Sequence, residues 1–400
     1  MVLSNHPTIL IDACWWLGGN RKRGIGRYLK YYFQVVLKVP SKQRVWWFPR
    51  ALTQVEKQQF VENFAGQLVW PGQVRAGQEK VCQQCKNSCI IPVKLQQVFF
   101  RVKKAFLLHF SYRSPALLAK DDLKMILKQF KVNHVLIASP FERPQSLLDQ
   151  FAVLAAWQKQ KRPGQTRRKI SAIVFDLIPW QFPQKILALW PEEEQQNYHQ
   201  RLANLRQIDQ VLTISPSTTQ VVKKALKIPT KKLKMLKFGL KTAWLEIPQE
   251  VKRSSQENSS KIQPGEKSLA TTIAGGEWRK NLEGTLKYFA RNLAKTHRLV
   301  VICQLSWWER LRSTWLAWRL GVLTQVKFAG QVSEVEKWQY LLRTKVFLFL
   351  SRAEGLGIPL LEAKKAGVKQ FVLSEALVKA GLDELVRGRG VEVVVSEVWI

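Results

Sequence analysis

Short apolar segments alternate with longer segments of helical periodicity through the first part of the chain. After an apolar start and a glycine-containing stretch, a helix is predicted from about Gly26 to Leu37, and another follows the Ser215-Pro216-Ser217 cap signal. The predicted strands are Ile9–Cys14, Val45–Phe48, Val135–Ile137, Ile170–Phe175 and Val211–Ser215. Strands that alternate with helices indicate a parallel sheet covered by helices.

A second series follows a polar stretch. Residues 248–268 are poor in apolar side chains and have a proline near each end, which indicates a linker or a surface insertion. Helices are then predicted from about Leu282, Trp308 and Val335. The predicted strands are Ala270–Ala274, Leu299–Cys303, Val326–Ala329 and Val346–Leu350. We therefore predict two doubly wound α/β domains, residues 1–247 and 269–400, with the pattern truncated or diverged after residue 367.

Composition favours folded domains over disorder. Hydrophobic residues make up 46% of the chain and aromatic residues 10%, which is enough for full-sized cores. No apolar run approaches the eighteen or so residues that cross a bilayer. Residues 1–12 lack the charged start and the cleavage site of a signal peptide. A cytoplasmic protein is the expectation from these features.

Net charge is the strongest anomaly of composition. The formal value is +35, and basic clusters occur at Arg101–Lys104, Arg167–Lys169 and Lys223–Lys241. Such a charge draws a protein towards nucleic acid or an anionic membrane surface. Tryptophan interleaved with Lys and Arg suits either a membrane interface or single-stranded nucleic acid. Charge alone does not decide between these two partners. A solvated basic face with no specific partner is the third interpretation.

Cysteine and histidine give no complete metal site. Cys14 and Cys303 stand singly in apolar runs, where a buried thiol is the ordinary interpretation. Cys82, Cys85 and Cys89 have metal-ligand spacing but no fourth ligand, so free thiols in an inserted loop are preferred to a zinc or iron–sulfur site. The five histidines are scattered, and no Asp-x-Asp segment is present to hold a divalent ion. We expect no metal and no cofactor.

One predicted strand-to-helix loop combines acidic residues with glycines. Glu354 lies at the tip of a strand that ends near Leu350, and Pro359 falls in the first turn of the next helix, which places Glu362 about one turn inside it. Gly355 and Gly357 let the backbone approach a ligand closely, and the free amides of the helix start favour a diphosphate.

This segment resembles the E-x7-E motif of retaining GT-B glycosyltransferases, specifically glycosyltransferase family 4. The resemblance implies that Glu354 lies beside the donor sugar and phosphates and that Glu362 holds the ribose hydroxyls. It also implies the GT-B fold, with two Rossmann-like domains facing each other across a cleft. The likeness extends loosely from Ile9 to about Gly367, and only 33 residues follow Gly367.

A second loop agrees with the first. Gly275, Gly276 and the residues as far as Asn281 resemble the family's glycine-rich segment that ends in Arg-Lys-Asn, although this copy is one residue shorter. The resemblance implies that Arg279 and Lys280 neutralise the donor diphosphate. Fixed cations beside a leaving diphosphate also stabilise the transition state on physical grounds. A surface Arg-Lys pair at a helix start is the structural alternative.

Two loops of the first predicted domain resemble the same family. The Gly24-Ile-Gly26-Arg-Tyr segment is similar to one whose glycine loop faces the donor diphosphate, and the preceding Arg-Lys-Arg adds positive charge. Asp176 lies in a segment similar to His-Asp-Leu-Ile-Pro, with Phe175 where histidine is common. Asp176 is expected either to orient an acceptor hydroxyl or the donor sugar, or only to cap a loop.

The resemblance implies transfer of a hexose, with retention of configuration, from a nucleotide-sugar to a glycan or lipid-linked acceptor in surface polysaccharide synthesis. GDP-mannose is the donor expected first, because relatives with the Gly-Ile-Gly-Arg-Tyr segment often use it. Peripheral attachment to the inner membrane face is expected through the basic first domain. A catalytically idle GT-B-like protein that binds sugar or a partner is the alternative. No specific nucleic acid is expected, because no recognition helix or RNP-like segment accompanies the charge.

The site prediction rests on one spatial expectation. The carboxylates of Glu354 and Glu362 and the cations of Arg279 and Lys280 should converge on a common pocket, because ligands of open α/β sheets bind beyond the carboxyl ends of the strands.

Overall fold

The structure is a computed structural model, and it describes most of the chain. The described residues are 8–17, 24–49, 52–69, 120–141, 146–160, 167–240, 242, 245–251 and 267–396. The predicted Cys82–Cys89 cluster and residues 252–266 of the predicted linker at 248–268 lie outside these ranges. The domain boundary drawn at that linker stays a prediction.

The first sheet has seven strands in the order β3-β2-β1-β4-β5-β6-β7. The pairs β3–β2, β2–β1, β1–β4, β5–β6 and β6–β7 are parallel. These strands are β1 Ile9–Asp12, β2 Arg44–Trp47, β3 Gln67–Val69, β4 His134–Ile137, β5 Lys169–Val174, β6 Gln210–Thr213 and β7 Leu233–Met235. The central strands are buried apolar runs, as expected of a sheet covered on both faces. The strand order reverses between β1 and β4.

The second sheet has six parallel strands in the order β10-β9-β8-β11-β12-β13. These strands are β8 Ser268–Ile273, β9 His297–Ile302, β10 Val326–Gly330, β11 Thr344–Phe349, β12 Gln370–Ser374 and β13 Glu392–Ser396. The order reverses between β8 and β11, which makes that position the topological switch point of this sheet. Two of its strands lie beyond residue 367, where the sequence pattern was weak.

Helices connect most of these parallel strands. They are α1 Cys14–Leu17, α2 Gly24–Tyr31, α3 Gln54–Val61, α4 Lys120–Gln129, α5 Phe151–Lys159, α6 Ile178–Gln181, α7 Glu192–Gln207, α8 Pro216–Leu226, α9 Leu282–Asn292, α10 Trp307–Arg319, α11 Glu334–Arg343, α12 Ile358–Lys365 and α13 Glu375–Lys379. Helix α2 continues into a π-helical turn at Tyr32–Val36. Helix α8 begins after an N-cap at Ser215, whose side chain accepts from the amide of Thr218 at 3.0 Å, as the sequence predicts.

The described residues form two compact units. One contains those of Met1–Arg21 and Phe33–Ile170, and the other contains those of Lys22–Tyr32 and Ser171–Ile400. The core of the first unit includes aromatic side chains packed edge to face, among them Trp15, Trp16, Phe33, Trp46, Phe60 and Phe64. The second sheet packs its helices over a core that includes Leu286, Phe289, Leu299, Val301 and Leu348.

The predicted α/β class with two parallel sheets is confirmed. The predicted strand Ile9–Cys14 is too long, because Cys14 begins α1 and the strand ends at Asp12, whose buried carboxylate accepts from the amide of Cys14 at 3.1 Å. Cys14 and Cys303 are buried free thiols, as expected. Among the described residues, no helix has the length and hydropathy needed to span a bilayer.

Candidate functional site

The loop after β8 is fixed to the carboxyl end of β11 by Asn281. This residue has a left-handed backbone with φ of 49°, and its side chain caps α9 by accepting from the amide of Gly284 at 3.3 Å. Its Nδ2 donates to the carbonyl of Leu350 at 3.1 Å. The amide of Arg352 in turn donates to the carbonyl of Arg279 at 2.7 Å. The loops after two neighbouring strands are thereby held against each other at the switch point.

Glu354 forms ion pairs with two cations at this switch point. Nη1 of Arg279 donates to Glu354 at 3.0 Å, and Nζ of Lys280 donates to the other carboxylate oxygen at 2.6 Å. The Glu354 side chain is only 8% exposed, so both bonds are largely shielded from water. Charge-assisted bonds of this kind contribute about 1.5–3 kcal/mol each. The predicted Glu354, Arg279 and Lys280 therefore form one connected cluster.

Arg279 keeps its charge despite burial. Burial alone would lower its pKa, but the negative charges of Glu354, Glu277 and Asp176 outweigh burial and raise the pKa above its ordinary value. Its Nε also donates to the exposed Glu277 at 2.6 Å. A planar guanidinium that is bonded on two edges is held in one orientation. The site thus contains a fixed positive charge.

Asp176 lies in the loop after β5 and is partly buried. Burial raises the pKa of its carboxyl, with a further increase from Glu354 and an opposing effect from Arg279. Its Oδ1 accepts from the amide of Ile178 at 3.1 Å, which closes the turn into α6. The loop-capping role that the sequence left open is thus present. A Cβ built at Gly355, the residue after Glu354, would lie 3.3 Å from the Asp176 Cβ.

Gly355 lies against the loops after β5 and β6. A Cβ built at this position would lie 2.5 Å from the carbonyl oxygen of Phe175, closer than any real Cβ comes. The Gly355 carbonyl accepts from the hydroxyls of Ser215 and Thr218. The single hydroxyl proton of Thr218 is shared between the Gly355 carbonyl at 3.3 Å and the Phe175 carbonyl at 3.0 Å. Glycine is therefore needed at position 355 for the approach of another backbone, a reason that the sequence did not reveal.

Glu362 belongs to a second cluster of charges. It is buried on α12, and its Oε1 accepts from Arg27 at 2.7 Å and from Nζ of Lys337 at 2.8 Å. Both cations also contact the exposed Glu334, at 3.2 Å and 2.7 Å. Neither Lys337 nor Glu334 was predicted from the sequence, and the Arg27 segment was expected to face phosphate. The convergence of Glu362 with the first cluster on one pocket stays a prediction.

The remaining predicted glycines have structural reasons of their own. Gly357 precedes α12 with φ of +71°, a left-handed conformation that glycine adopts without strain. A Cβ at Gly276 would overlap the carboxylate of Glu309, which caps α10. Gly24 and Gly26 were expected in a glycine loop that leads into a helix from about Gly26. They lie instead in the first turn of α2, because the helix begins at Gly24.

One family model matches part of the chain. Residues 254–374 match the family Glycosyl transferases group 1. This span includes Arg279, Lys280, Glu354 and Glu362. The sequence has no significant match among curated proteins.

Solved structures resemble the chain over nearly its whole length. Anabaena Alr3699/HepE in complex with UDP and glucose is 12% identical, covers 98% of this chain and 86% of its own, and has a TM-score of 0.54. The GT-B fold is confirmed. The N-terminal domain of Candida albicans trehalose-6-phosphate phosphatase is also 12% identical, with 98% and 86% coverage and a TM-score of 0.53. Sucrose-phosphate synthase from Thermosynechococcus elongatus is 12% identical, with 92% and 81% coverage and a TM-score of 0.50. The matched domain and the fold together support a glycosyltransferase.

Proposed function

We propose that this protein transfers a hexose from a nucleotide-sugar to a glycan or lipid-linked acceptor, with retention of configuration, in surface polysaccharide synthesis. One observation carries the proposal: a carboxylate, Glu354, held by Arg279 and Lys280 at the β8/β11 switch point. Ligands of open α/β sheets bind at such points. The Glycosyl transferases group 1 match over the same residues supports a sugar donor.

The two cations are suited to a departing diphosphate. A lysine ammonium has three donor protons and a guanidinium has five, so the bonds to Glu354 and Glu277 leave several of them for phosphate oxygens. The amides at the start of α12, beside the left-handed Gly357, would add neutral donors and a helix dipole. Positive charge that is already fixed in place stabilises a leaving diphosphate without reorganisation.

We propose that the acceptor attacks the sugar from the face on which the diphosphate departs. The bond from C1 to the diphosphate oxygen breaks while the bond from C1 to the acceptor oxygen forms on the same face, and the acceptor proton passes to the departing phosphate oxygen. Glu354 would stabilise the oxocarbenium-like sugar, and Asp176 would orient a hydroxyl. A trapped covalent glycosyl-enzyme would contradict this route.

The donor has two candidates. The resemblance of Gly24–Tyr28 to relatives that use GDP-mannose favours mannose. The structural neighbour Alr3699/HepE, solved with UDP and glucose, favours a uridine donor. A thermal-shift screen of the protein against GDP-, UDP- and ADP-sugars decides between them, and proton NMR of the anomeric signal of the product then tests retention. No shift with any nucleotide-sugar would favour the idle GT-B-like alternative.

The acceptor and the location are proposed from the net charge of the chain. A net charge of +35 suits an acceptor at an anionic membrane surface, and we propose that the protein works in the cytoplasm, peripheral to the inner membrane face. Transfer to a lipid-linked glycan in vesicles, compared with the same glycan freed of its lipid, tests this acceptor class. Equal rates on both would remove the lipid from the proposal.

A further inference from the structure

Helix α10 carries an apolar surface that the transfer reaction does not use. Its start is fixed by a capping box, in which the Ser306 amide donates to Glu309 at 2.7 Å and the Glu309 amide donates to the Ser306 hydroxyl at 3.3 Å. Its inner side packs on the core of the second sheet through Leu316, Ala317 and Leu320. One face of the helix therefore packs on the core, and the opposite face is exposed.

The outer face is apolar along its whole length. Its side chains are 51–71% exposed, and they are Trp307, Trp308, Leu311, Trp315 and Trp318. At about 100° per residue these five positions fall within an arc of about 100°, opposite the residues that face the core. Within the part of the chain that the structure describes, all exposed tryptophans lie on this helix. Exposed apolar residues that stand singly are ordinary, but a continuous stripe marks an interaction surface.

Arginines border the stripe on both sides. Arg312 and Arg319 follow one edge and Arg310 the other, as the same helical spacing places them. The guanidinium of Arg319 lies 5.4 Å from the Trp315 ring centre, and the Arg312 side chain is 80% exposed. The helix has one acidic residue, Glu309, and the capping box engages it. Tryptophan and leucine flanked by arginine are typical of a helix that lies in a membrane interface.

The net charge of the chain indicates which partner binds this surface. A second copy of a chain with a net charge of +35 would be repelled, whereas an anionic bilayer attracts it. A bilayer also offers both environments that the face needs, since indole rings settle at the headgroup level and arginines pair with lipid phosphates. We propose that the outer face of α10 docks the protein on an anionic membrane, with the helix lying in the plane of the interface. The proposal rests on the membrane location proposed above, for which it names the surface, and it does not depend on the donor site.

Co-sedimentation with vesicles tests this directly. The full chain is mixed with vesicles of equal parts phosphatidylglycerol and phosphatidylcholine, and with vesicles of phosphatidylcholine alone. We expect binding to the anionic vesicles, and at least a tenfold loss of that binding in Trp308→Ser/Leu311→Ser/Trp315→Ser. The matched control is Val55→Ser/Val61→Ser/Leu189→Ser, which removes three apolar side chains of similar exposure elsewhere and should bind like the wild type.

A second pair of variants tests the arginines and leaves the five residues of the stripe unchanged. Arg312→Gln/Arg319→Gln should weaken binding at low salt several-fold, whereas Lys379→Gln/Arg389→Gln, an equal loss of exposed charge elsewhere, should not. The thermal midpoint and the nucleotide-sugar affinity of each variant, measured without vesicles, report separately on folding and on the donor site. If the triple variant fails to fold, Trp308→Ser alone gives the same comparison.

Two results would overturn the proposal. One is vesicle binding by the triple variant equal to that of the wild type. The other is a wild-type dimer in light scattering that the triple variant dissociates, without vesicle binding by either protein, because the stripe would then be covered by a second copy.

Discussion

The guanidinium of Arg27 donates a hydrogen bond to the carboxylate of Glu362 at 2.7 Å, although 335 positions separate the two residues in the chain. Arg27 lies in the Gly-Ile-Gly-Arg-Tyr segment of α2, and Glu362 is the second acidic residue of the E-x7-E segment. Two stretches that were interpreted separately from the sequence are therefore joined by one ion pair. Their contact gives Arg27 a carboxylate partner, whereas a phosphate-facing role was expected from the sequence only for the glycine loop of its segment.

Replacing Arg27 should destabilise the protein more than the loss of its contact with the exposed Glu334 alone would. In Arg27→Gln the buried Glu362 keeps Lys337 but loses a charge-assisted bond, so we expect the unfolding free energy to fall by about 1–3 kcal/mol. Glu334→Gln removes the exposed member of the same network and should cost less than about 1 kcal/mol. Urea denaturation of both variants measures the difference. Equal losses would mean that Glu362 does not depend on Arg27.

The position of Gly355 gives a steric prediction. A methyl group there would meet the Phe175 carbonyl at 2.5 Å, so Gly355→Ala must displace a backbone and should destabilise the protein by about 1–3 kcal/mol. Gly388→Ala is the matched control, because its added Cβ would meet nothing closer than a side-chain carbon at 4.0 Å. Thermal unfolding compares the two. A Gly355→Ala protein as stable as Gly388→Ala would show that the loops do not approach as described.

Asp176 gives a prediction of pH dependence. Burial raises the pKa of its carboxyl above the ordinary value of 3.8, so the folded protein favours the protonated form. That contribution is complete below pH 3.8 and is lost as pH rises through the raised pKa. Asp176→Asn stays neutral throughout, so its stability relative to the wild type should increase with pH over this window, by about 1.4 kcal/mol for each unit of pKa shift. Unfolding free energies from pH 3.5 to 7 measure it, and a difference that does not change with pH would contradict it.

Several elements were predictable because local and periodic signals agreed. The strand β11 ends in an apolar run, β8 is rich in β-branched residues, Ser215 caps α8, and Pro359 lies in the first turn of α12. The strands β3 and β7 were missed because three residues carry no recognisable alternation. The π-helical turn at Tyr32–Val36 was predicted only as a continuation of the helix.

The candidate site was predictable where strand order determines it. Arg279, Lys280 and Glu354 follow strands that are neighbours in a doubly wound sheet, so their loops meet at one edge. The partners of Glu362 could not be found this way, because Lys337 and Arg27 lie on helices whose facing sides depend on tertiary packing. The clash of a Cβ at 355 with the Phe175 carbonyl likewise depends on tertiary packing, because the two residues are far apart in the sequence.

Calorimetric titration with a nucleoside diphosphate, UDP or GDP as the screen selects, tests the central claim most directly. If Arg279 and Lys280 hold the diphosphate, Arg279→Gln/Lys280→Gln should bind it at least tenfold more weakly, a loss of about 1.4 kcal/mol or more. Adding Glu354→Gln to that variant removes the carboxylate that would otherwise be left unpaired, and separates folding from binding. Lys287→Gln, an exposed lysine of α9, should bind like the wild type. An unchanged affinity in folded Arg279→Gln/Lys280→Gln would contradict the account.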